Sequence, residues 1–409
     1  MPIIMLGFWA ALLRLITRKY AALGHRLFGL QLHVSRQGFI GRENLFQTHF
    51  PRRVLLSYIT YPFQEMPEAP LRHSQQVEAR AWAELLHERG YIVDVVDFDE
   101  PNFGGLDRPY ELVCGFGLPY EQLIQRRQPN QRFFYYATGC HPTFQTDVAI
   151  RKLLDFERRY HFWPRVGMRL ATFTMPLQFV VSDEYLVLGD DAVAETYQQA
   201  IYRGRVHSLH NLFLSGGGPQ KPRTQISHRK SLLWFGSFGC VHKGLIDVLE
   251  AMRSLPDYEL HLGGLSPVER SMLHIDEIFA DVMPRVTDHG FVRVGSPEFS
   301  ALMARASLLV FPSISEGVSG AVLTALAHAG GYPILSRMTG VELEGRGIKL
   351  PEISPASIVA AVQSLESMPD DELLDMINDV MALVCARYHC ATYQLGLRAA
   401  FDRACETTK

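Results

Sequence analysis

The feature that most constrains the fold is a polar stretch that separates two series of short apolar runs. This stretch, SGGGPQKPRTQISHRK, covers residues 215–230 and is rich in Gly and Pro, which predicts a linker. On both sides, apolar runs such as VLLSYIT (54–60) and SLLWFG (231–236) alternate with segments of helical periodicity. Alternation of this kind favours parallel sheets that are covered by helices on both faces. We therefore predict an α/β chain with two doubly wound, Rossmann-like domains that face each other across a cleft.

The expected boundaries follow from the same pattern. The chain has 409 residues, which is too long for one ordinary hydrophobic core. We expect a first domain at 50–214, the linker at 215–230 and a second domain at 231–390. Within the second domain, HGFVRV (289–294) is predicted to be a strand. The last segment, 391–409, is expected to be a helix that could cross back to the first domain.

Composition excludes several classes of protein. The formal net charge is −3, so the chain lacks the overall basic character of a nucleic-acid-binding protein, and we expect no nucleic-acid partner. The six cysteines are scattered and form no C-x-x-C pair. This usage is typical of free thiols in a reducing compartment, which indicates a cytoplasmic protein. A zinc site would need clustered Cys and His, and we expect no metal site.

The N-terminal segment, 1–45, is apolar and basic, and its basic residues Arg14, Arg18, Lys19 and Arg26 have no acidic neighbour. The uncharged run at 1–13 is shorter than the roughly 20 residues that span a bilayer. One interpretation is an amphipathic helix in residues 1–30 that lies on the inner face of a membrane. The alternative is a helix that packs on the protein.

The first candidate site lies in WFGSFGCVHKGLIDVLEA, where an apolar strand runs into Gly236, Ser237 and Gly239, and a helix follows Lys243. A strand-to-helix turn of this kind exposes N–H groups, and the start of a helix carries about half a positive charge. Lys243 could neutralise a phosphate there. The alternative is a solvated loop lysine next to ordinary turn glycines.

A second turn of the same type occurs in FPSISEGVSG, which contains Glu316 and leads into a helix. The carboxylate of Glu316 could accept hydrogen bonds from sugar hydroxyls, and free N–H groups from Gly317 to Gly320 could hold a phosphate. Taken alone, a helix cap at Ser315 or Glu316 is the simpler explanation of the pattern. Two such turns in one domain favour a site. Gly290 in HGFVRV is a further candidate for donor binding.

Two histidines of the first domain are candidates for the opposite wall of the cleft. His73 lies at a predicted helix start in PLRHSQQVEA, and His141 follows a predicted strand in YYATGCHPTF. Either could project into the cleft, and the alternative for each is a packed or surface histidine.

The motifs WFGSFGCVHKGLIDVLEA, SLLVFPSISEG and YPILS resemble, in order and spacing, the nucleotide-sugar-binding domain of GT-B glycosyltransferases. The likeness is to the large retaining group called family 4, and to a bacterial subgroup in which HKG and SEG-x-SG occur together. The stretches SYITYPF, RHSQQVEA and YYATGCHP of the first domain are similar to that subgroup too.

The resemblance implies a sugar transferase that needs no cofactor or metal and takes a UDP- or GDP-sugar as donor. It implies a glycan or lipid-linked acceptor, and a place in bacterial polysaccharide or glycoconjugate synthesis. Lys243 with Gly236, Ser237 and Gly239 would bind the diphosphate, and Glu316 would contact the transferred sugar. The residues expected to offer backbone amides are Gly317, Val318, Ser319 and Gly320.

The sequence departs from the family pattern at two positions. The family often has an arginine directly after the strand glycine, where this chain has Ser237. It usually has a second glutamate, for the ribose hydroxyls, where this chain has Thr324. A threonine makes one neutral hydrogen bond where a carboxylate accepts two, so we expect donor affinity to be roughly tenfold weaker. His328 could add a ribose contact, although an ordinary histidine on the helix surface is the simpler interpretation.

Two other functions stay open at this point. One is a GT-B-fold protein without catalysis that serves as a nucleotide-sugar-binding or regulatory protein, which Ser237 and Thr324 favour. The other is a different enzyme on the same fold, such as a nucleotide-sugar epimerase or a phosphorylase.

Overall fold

The computed structural model describes residues 41–63, 73–101, 103–171, 175–216 and 220–406. The N-terminal segment in which an amphipathic helix was predicted, residues 1–30, lies outside the described residues, and so does part of the predicted linker. None of the helices within the described ranges is long and apolar enough to cross a bilayer.

The first sheet is parallel apart from its short first strand and has the order β1-β3-β2-β4-β5-β6-β7. Its strands are β1 (Gly41–Arg42), β2 (Arg52–Tyr58), β3 (Tyr91–Asp97), β4 (Leu112–Gly115), β5 (Arg132–Ala137), β6 (Glu184–Leu188) and β7 (Arg205–Leu209). The central strands β4 and β6 are buried along their whole length and β5 is buried after its first residue, as expected for a sheet that is covered on both faces.

We call each sheet, together with the helices that cover it, a unit. The helices of the first unit are α1 (Ser74–Glu88), α2 (Leu118–Gln125), α3 (Pro142–Tyr160), α4 (Leu177–Val180) and α5 (Asp191–Gln198), with a 3-10 turn at Tyr61–Phe63. The start of α1 is fixed by a capping box, in which the His73 side chain accepts from the chain at helix positions 75 and 76 while Gln76 reaches back to the His73 N–H. Helical spacing then buries Trp82 and Leu86 against the sheet.

The second sheet is parallel throughout and has the order β10-β9-β8-β11-β12-β13. Its strands are β8 (Ser231–Phe235), β9 (Glu259–Gly263), β10 (Val286–Asp288), β11 (Leu308–Phe311), β12 (Tyr332–Ser336) and β13 (Ile348–Leu350). Its helices are α6 (Leu245–Met252), α7 (Pro267–Met272), α8 (Ile275–Ile278), α9 (Pro297–Arg305), α10 (Gly320–Ala327), α11 (Pro355–Gln363) and α12 (Asp370–Arg387), with 3-10 turns at Met283–Arg285 and Arg337–Thr339. The two parallel, helix-covered sheets confirm the predicted fold class.

The prediction of a strand at 289–294 is wrong. The strand that pairs with β9 is β10, which ends at Asp288. Gly290 then adopts a φ of +60° and takes the chain out of the extended conformation, and Phe291 is 88% exposed. Apolar residues alone suggested a strand, and Val292 is buried in the core, but residues 289–294 form no strand.

The last helix, α13 (Cys390–Cys405), lies against the first sheet unit. Its Phe401 ring packs edge-on against Trp82, and Asp402 forms an ion pair with Arg89 at 2.7 Å. The end of the chain therefore contacts the unit in which the described chain begins.

A buried ion pair joins the two units next to the helix starts that concern the site. Lys152 of α3 lies 2.6 Å from Asp247 in the first turn of α6, and Asp247 is fully buried. About two turns further along α3, the Tyr160 hydroxyl donates at 2.5 Å to Glu250, which lies one turn after Asp247 in α6. Since an unpaired buried carboxylate is costly, these contacts hold α3 against α6.

Candidate active site

The candidate site lies where the order of the second sheet reverses. Strand β8 has β9 on one side and β11 on the other, so the chain leaves β8 and β11 toward opposite faces of the sheet. In open parallel sheets, ligands bind in the crevice outside the carboxyl ends of such a pair of strands. We call the segment after β8 the lysine turn (residues 236–244) and the segment after β11 the glutamate turn (residues 312–319).

The side chain of Lys243 is held inside the lysine turn. Its Nζ donates to the Ser237 hydroxyl at 2.8 Å and to the Ser237 carbonyl at 3.4 Å. The residue is only 4% exposed. Burial, and then the positive charge of Arg169, lower the pKa of Lys243 to about 8. A buried ammonium whose described partners are neutral oxygens is prepared to receive an anion.

The backbone of this turn is less available than its sequence suggests. The carboxylate of Glu269, in α7, accepts from the N–H of Gly239 at 2.7 Å and from the N–H of Cys240 at 3.0 Å. Gly236 donates its N–H to the carbonyl of Gly263 at 2.9 Å. The expectation that Gly236 and Gly239 offer free amides to a phosphate is therefore wrong for the structure as it stands. Burial raises the pKa of Glu269.

The glutamate turn is tied down by the 3-10 turn that follows β12. Glu316 donates its N–H to the Met338 carbonyl at 2.9 Å, and Ser319 donates its N–H to the Thr339 carbonyl at 3.2 Å. The Ser319 hydroxyl caps α10 by accepting from Val322. The prediction that Ser319 offers its amide to a ligand is therefore wrong, and the amides of Gly317, Val318 and Gly320 remain candidates.

His242 connects the two turns, a role that no local sequence pattern predicts. Its Nε2 donates to the carbonyl of Ser315 at 2.6 Å, and its own carbonyl accepts from Ile314 at 3.0 Å. Burial lowers the pKa of His242 to about 4, so the ring is neutral at physiological pH. Through these two hydrogen bonds, His242 fixes the position of the glutamate turn relative to Lys243.

The carboxylate of Glu316 is half enclosed at the mouth of the site. One oxygen accepts from the Ser313 hydroxyl at 3.3 Å, and the other lies 3.4 Å from Nη1 of Arg169. The side chain is 11% exposed. Its contacts are long for charged partners, so they hold the carboxylate loosely.

Arg169 comes from the first unit, in a segment that leaves α3 and lies over the lysine turn. We call residues 161–171 the crossing segment. The Gly167 carbonyl accepts from the His242 N–H at 2.8 Å, and the Arg169 carbonyl accepts from Gln145 of α3 at 3.1 Å. Nη2 of Arg169 donates to the carbonyl of Phe238 at 3.2 Å. A long-range contact of this kind leaves no periodic signal in the sequence.

Gly239 shows how closely the crossing segment approaches. Its φ is +102°, a conformation that side chains rarely adopt, and a Cβ there would lie 3.2 Å from Nε of Arg169. The glycine therefore leaves room for the arginine and allows the backbone to turn toward Glu269.

His141 does not face the cleft, which corrects the expectation from sequence. The ring is 1% exposed and packs edge-on against Tyr197. Nε2 lies 3.3 Å from the Phe179 carbonyl, and Nδ1 lies 2.7 Å from the Thr143 hydroxyl, at the start of α3. Burial lowers the pKa of His141. The histidine caps a helix inside the first unit.

His73 lies nearer to the site. It is exposed at the start of α1, and a Cβ on Gly320 would lie 3.8 Å from the hydroxyl of Ser74. The starts of α1 and α10 therefore meet across the two units. Gly317 makes the same junction tighter, because a Cβ there would lie 2.6 Å from the Thr138 carbonyl.

Thr324 has a different role from the one expected. Its hydroxyl donates to the Gly320 carbonyl at 2.7 Å and accepts from the Leu214 N–H at 3.2 Å, and the residue is 2% exposed. His328, one turn further along, lies 3.3 Å from the Ser215 carbonyl through Nε2. Both side chains hold the segment that leaves the first unit, so the expected ribose contact of Thr324 is wrong for this conformation.

Gly290 lies in the turn after β10, donates to Asp288 at 2.9 Å and has open space where a Cβ would lie. It is not brought together with Lys243 or Glu316 by any described contact. Across the described ranges, no group of three or more His, Cys, Asp or Glu side chains is arranged to hold a metal ion.

Comparisons with known proteins concern the region of the two turns and the fold. Residues 229–367, which contain both turns, match the family model described as Glycosyl transferases group 1. A search of curated proteins found no match.

Several solved structures share the whole two-unit arrangement. Sucrose-phosphate synthase from Thermosynechococcus elongatus is 14% identical, with 86% of this chain and 99% of that chain covered at a TM-score of 0.60. HepE from Anabaena, solved in complex with UDP-glucose, is 12% identical, with 87% and 100% covered at a TM-score of 0.54. Trehalose 6-phosphate synthase from Burkholderia multivorans is 10% identical, with 88% and 100% covered at 0.54. The chain therefore has the GT-B fold, and its residues 229–367 are similar to glycosyl transferases group 1.

Proposed function

We propose that this protein is a glycosyltransferase that moves a sugar from a nucleoside diphosphate sugar to a hydroxyl group of an acceptor. The observation that carries the proposal is the position of buried Lys243 and of Glu316 on two adjacent turns at the switch point of the second sheet. The region that matches Glycosyl transferases group 1 contains both residues. The donor then binds on residues 231–390, and the acceptor approaches from residues 50–214.

The chemistry follows from the charge that develops as the glycosidic bond breaks. Negative charge builds on the departing diphosphate, and a preorganised cation stabilises it in the transition state. Lys243 supplies that cation, and the starts of α6 and α10 add their partial positive charges. Glu316 accepts hydrogen bonds from hydroxyls of the transferred sugar. This division places the positive charge at the leaving group and the negative charge at the sugar.

The donor site that we propose is smaller than the one predicted from sequence. It keeps Lys243 and Glu316, with the Ser237 hydroxyl and the amides of Gly317, Val318 and Gly320. His73, which is exposed beside α10, is the histidine that we propose for the acceptor side. His141 and Thr324 contribute through their packing, since the groups that would touch a ligand are already bonded.

The finer points rest on resemblance. We propose retention of stereochemistry, a mechanism without a metal, a UDP- or GDP-sugar donor and a role in polysaccharide or glycoconjugate synthesis. The neighbour solved with UDP-glucose favours UDP. A lipid-linked acceptor, a cytoplasmic location and contact of residues 1–30 with a membrane stay predictions.

The direct test is a panel of UDP- and GDP-sugars with the purified protein, in which release of nucleoside diphosphate is measured with and without a mixture of glycan acceptors. The proposal predicts release from at least one donor, and this release persists in EDTA. Absence of both turnover and binding for every donor would refute it.

A second candidate is a GT-B protein that binds a nucleotide sugar without turnover. The observation that favours it is Thr324, whose hydroxyl is occupied by Leu214 and Gly320 where the resembling family offers a carboxylate. Binding of a donor in the panel with no product, even with acceptors present, would support this alternative.

A further inference from the structure

Arg169 is a charged side chain of the first unit that the proposed chemistry does not yet use. Its guanidinium lies between the lysine turn and the glutamate turn, 3.2 Å from the Phe238 carbonyl and 3.4 Å from the Glu316 carboxylate. The side chain is 40% exposed, whereas Lys243 behind it is buried. Arg169 therefore lies between the two turns and is more open to solvent than Lys243.

The contacts of Arg169 in the structure are weak for a guanidinium. Arginine carries five N–H donors in a planar fork, and a firm ion pair with a carboxylate has distances of about 2.7–2.9 Å. The 3.4 Å separation from Glu316 is longer than that, and the contact is made by one nitrogen atom. The guanidinium can therefore leave the Glu316 carboxylate for an anion that accepts shorter, paired hydrogen bonds.

The charges around the site leave a need for a second cation. A diphosphate ester carries about two negative charges, and the lysine turn itself supplies one lysine and the neutral Ser237. The carboxylate of Glu269 occupies two of the amides in that turn. Without Arg169, a diphosphate here would meet one ammonium and two nearby carboxylates.

The position of Arg169 is determined by contacts of its backbone segment and not only by the reach of its long side chain. Gln145 holds its carbonyl, and Gly167 of the same segment accepts from the backbone of His242. Gly239 leaves the space that the guanidinium stem fills. Three separate contacts therefore fix the crossing segment where its arginine faces Lys243.

We propose that Arg169 binds the diphosphate of the donor opposite Lys243, so that a residue of the first unit completes the donor site on the second. This inference rests on the proposed function. On binding, the guanidinium leaves Glu316 and forms paired hydrogen bonds with phosphate oxygens, and the carboxylate of Glu316 becomes free to accept sugar hydroxyls. Donor binding thereby adds a contact to the crossing segment, which continues from α3 on the acceptor side.

The test is calorimetric titration of UDP and UMP, with GDP and GMP in parallel, into wild type, Arg169→Ala, Arg169→Lys and Arg165→Ala. Arg165 is an exposed arginine of the same crossing segment and is the matched control. Loss of charge-assisted bonds predicts that Arg169→Ala weakens diphosphate binding by about 10- to 100-fold and monophosphate binding much less. Arg169→Lys keeps part of the affinity, and Arg165→Ala binds as wild type.

A second variant distinguishes loss of the guanidinium from a folding defect. The double variant Arg169→Ala with Ser237→Arg carries a guanidinium on the lysine turn in place of the one lost from the crossing segment, and it is expected to recover part of the lost diphosphate affinity.

Diphosphate affinity of Arg169→Ala equal to wild type overturns the inference, and so does an equal loss for diphosphate and monophosphate, which indicates a structural role. Failure of wild type to bind any nucleoside diphosphate overturns the proposed function itself. Tight diphosphate binding by wild type, with Arg169→Ala binding equally well, sinks this inference alone and leaves the proposed function intact.

Discussion

The lysine turn and the glutamate turn begin alike and end differently. Both follow a buried parallel strand, and each leads into an eight-residue helix. The lysine turn buries a cation and holds its backbone against a carboxylate, Glu269. The glutamate turn presents a carboxylate at the mouth of the site and holds its backbone against neutral carbonyls.

The comparison teaches that equivalent positions in a fold need not share a task. Charge decides the division, because a phosphate is attracted to Lys243 and repelled by Glu316, while sugar hydroxyls suit the carboxylate. His242, which bonds to the Ser315 carbonyl, keeps the two turns at a fixed separation. Each prediction below concerns one of the two turns or the helix that follows it.

The largest effect is expected from Lys243→Ala. Removing the cation from the leaving group should lower kcat/KM by roughly 10²- to 10³-fold, as observed when one preorganised electrostatic contact is lost. Steady-state rates on the donor that the panel identifies provide the measurement. The matched control is Lys230→Ala, an exposed lysine that pairs with Asp257 at 2.8 Å and should keep its rate. Equal rates for both variants would remove the lysine turn from the chemistry.

The next effect concerns pH. Lys243 has a pKa of about 8 in the ligand-free fold, and a diphosphate binds the protonated form. Affinity for nucleoside diphosphate should therefore be constant below pH 8 and fall by up to about tenfold per pH unit above it.

The pH dependence of the folding stability has the opposite sign. Between about pH 8 and the ordinary lysine pKa of 10.5 the unfolded chain binds more protons, so this group makes the ligand-free fold more stable as pH rises.

Calorimetry from pH 7 to 9.5 provides the measurement. Lys243→Arg is the comparison, because a guanidinium stays charged over this range and should flatten the profile. A wild-type profile that is flat up to pH 9.5 would contradict the assignment of Lys243 as the phosphate-binding cation.

The smallest effect is expected from Thr324→Val, which tests the helix after the glutamate turn. The change leaves the Leu214 N–H without its acceptor, and we expect the free energy of unfolding to fall by about 1–3 kcal/mol while nucleotide affinity is unchanged. Thermal unfolding and calorimetry of the same sample give both values. Thr287→Val, at an exposed position on β10, controls for the loss of a hydroxyl. Unchanged stability with about tenfold weaker nucleotide binding would restore the ribose role.

Local pattern was enough to predict the two parallel sheets and the approximate place of most strands. Short apolar runs between helical stretches left few alternatives, although the stretch at 289–294 misled because Gly290 ends the strand early. The two turns were also visible, since glycine, lysine and glutamate occur next to strand ends.

Neither Arg169 nor Glu269 could be found in this way. Arg169 acts through a contact across 147 positions with Glu316, and Glu269 acts by capping amides that looked free in the sequence.

Long-range packing also explains why the roles predicted for His141 and Thr324 are wrong. Their positions along the chain were suitable, but side-chain direction depends on packing against Tyr197 and on the segment at Leu214, which lie far away in the sequence.

The division of tasks between the two turns is tested most directly by one titration of nucleoside diphosphate into wild type, Lys243→Ala and Glu316→Gln. The account predicts that Lys243→Ala binds at least about tenfold more weakly, whereas Glu316→Gln, which has lost a negative charge near the phosphates, binds as tightly as wild type or more tightly. Equal weakening in the two variants, or full affinity in Lys243→Ala, would contradict it.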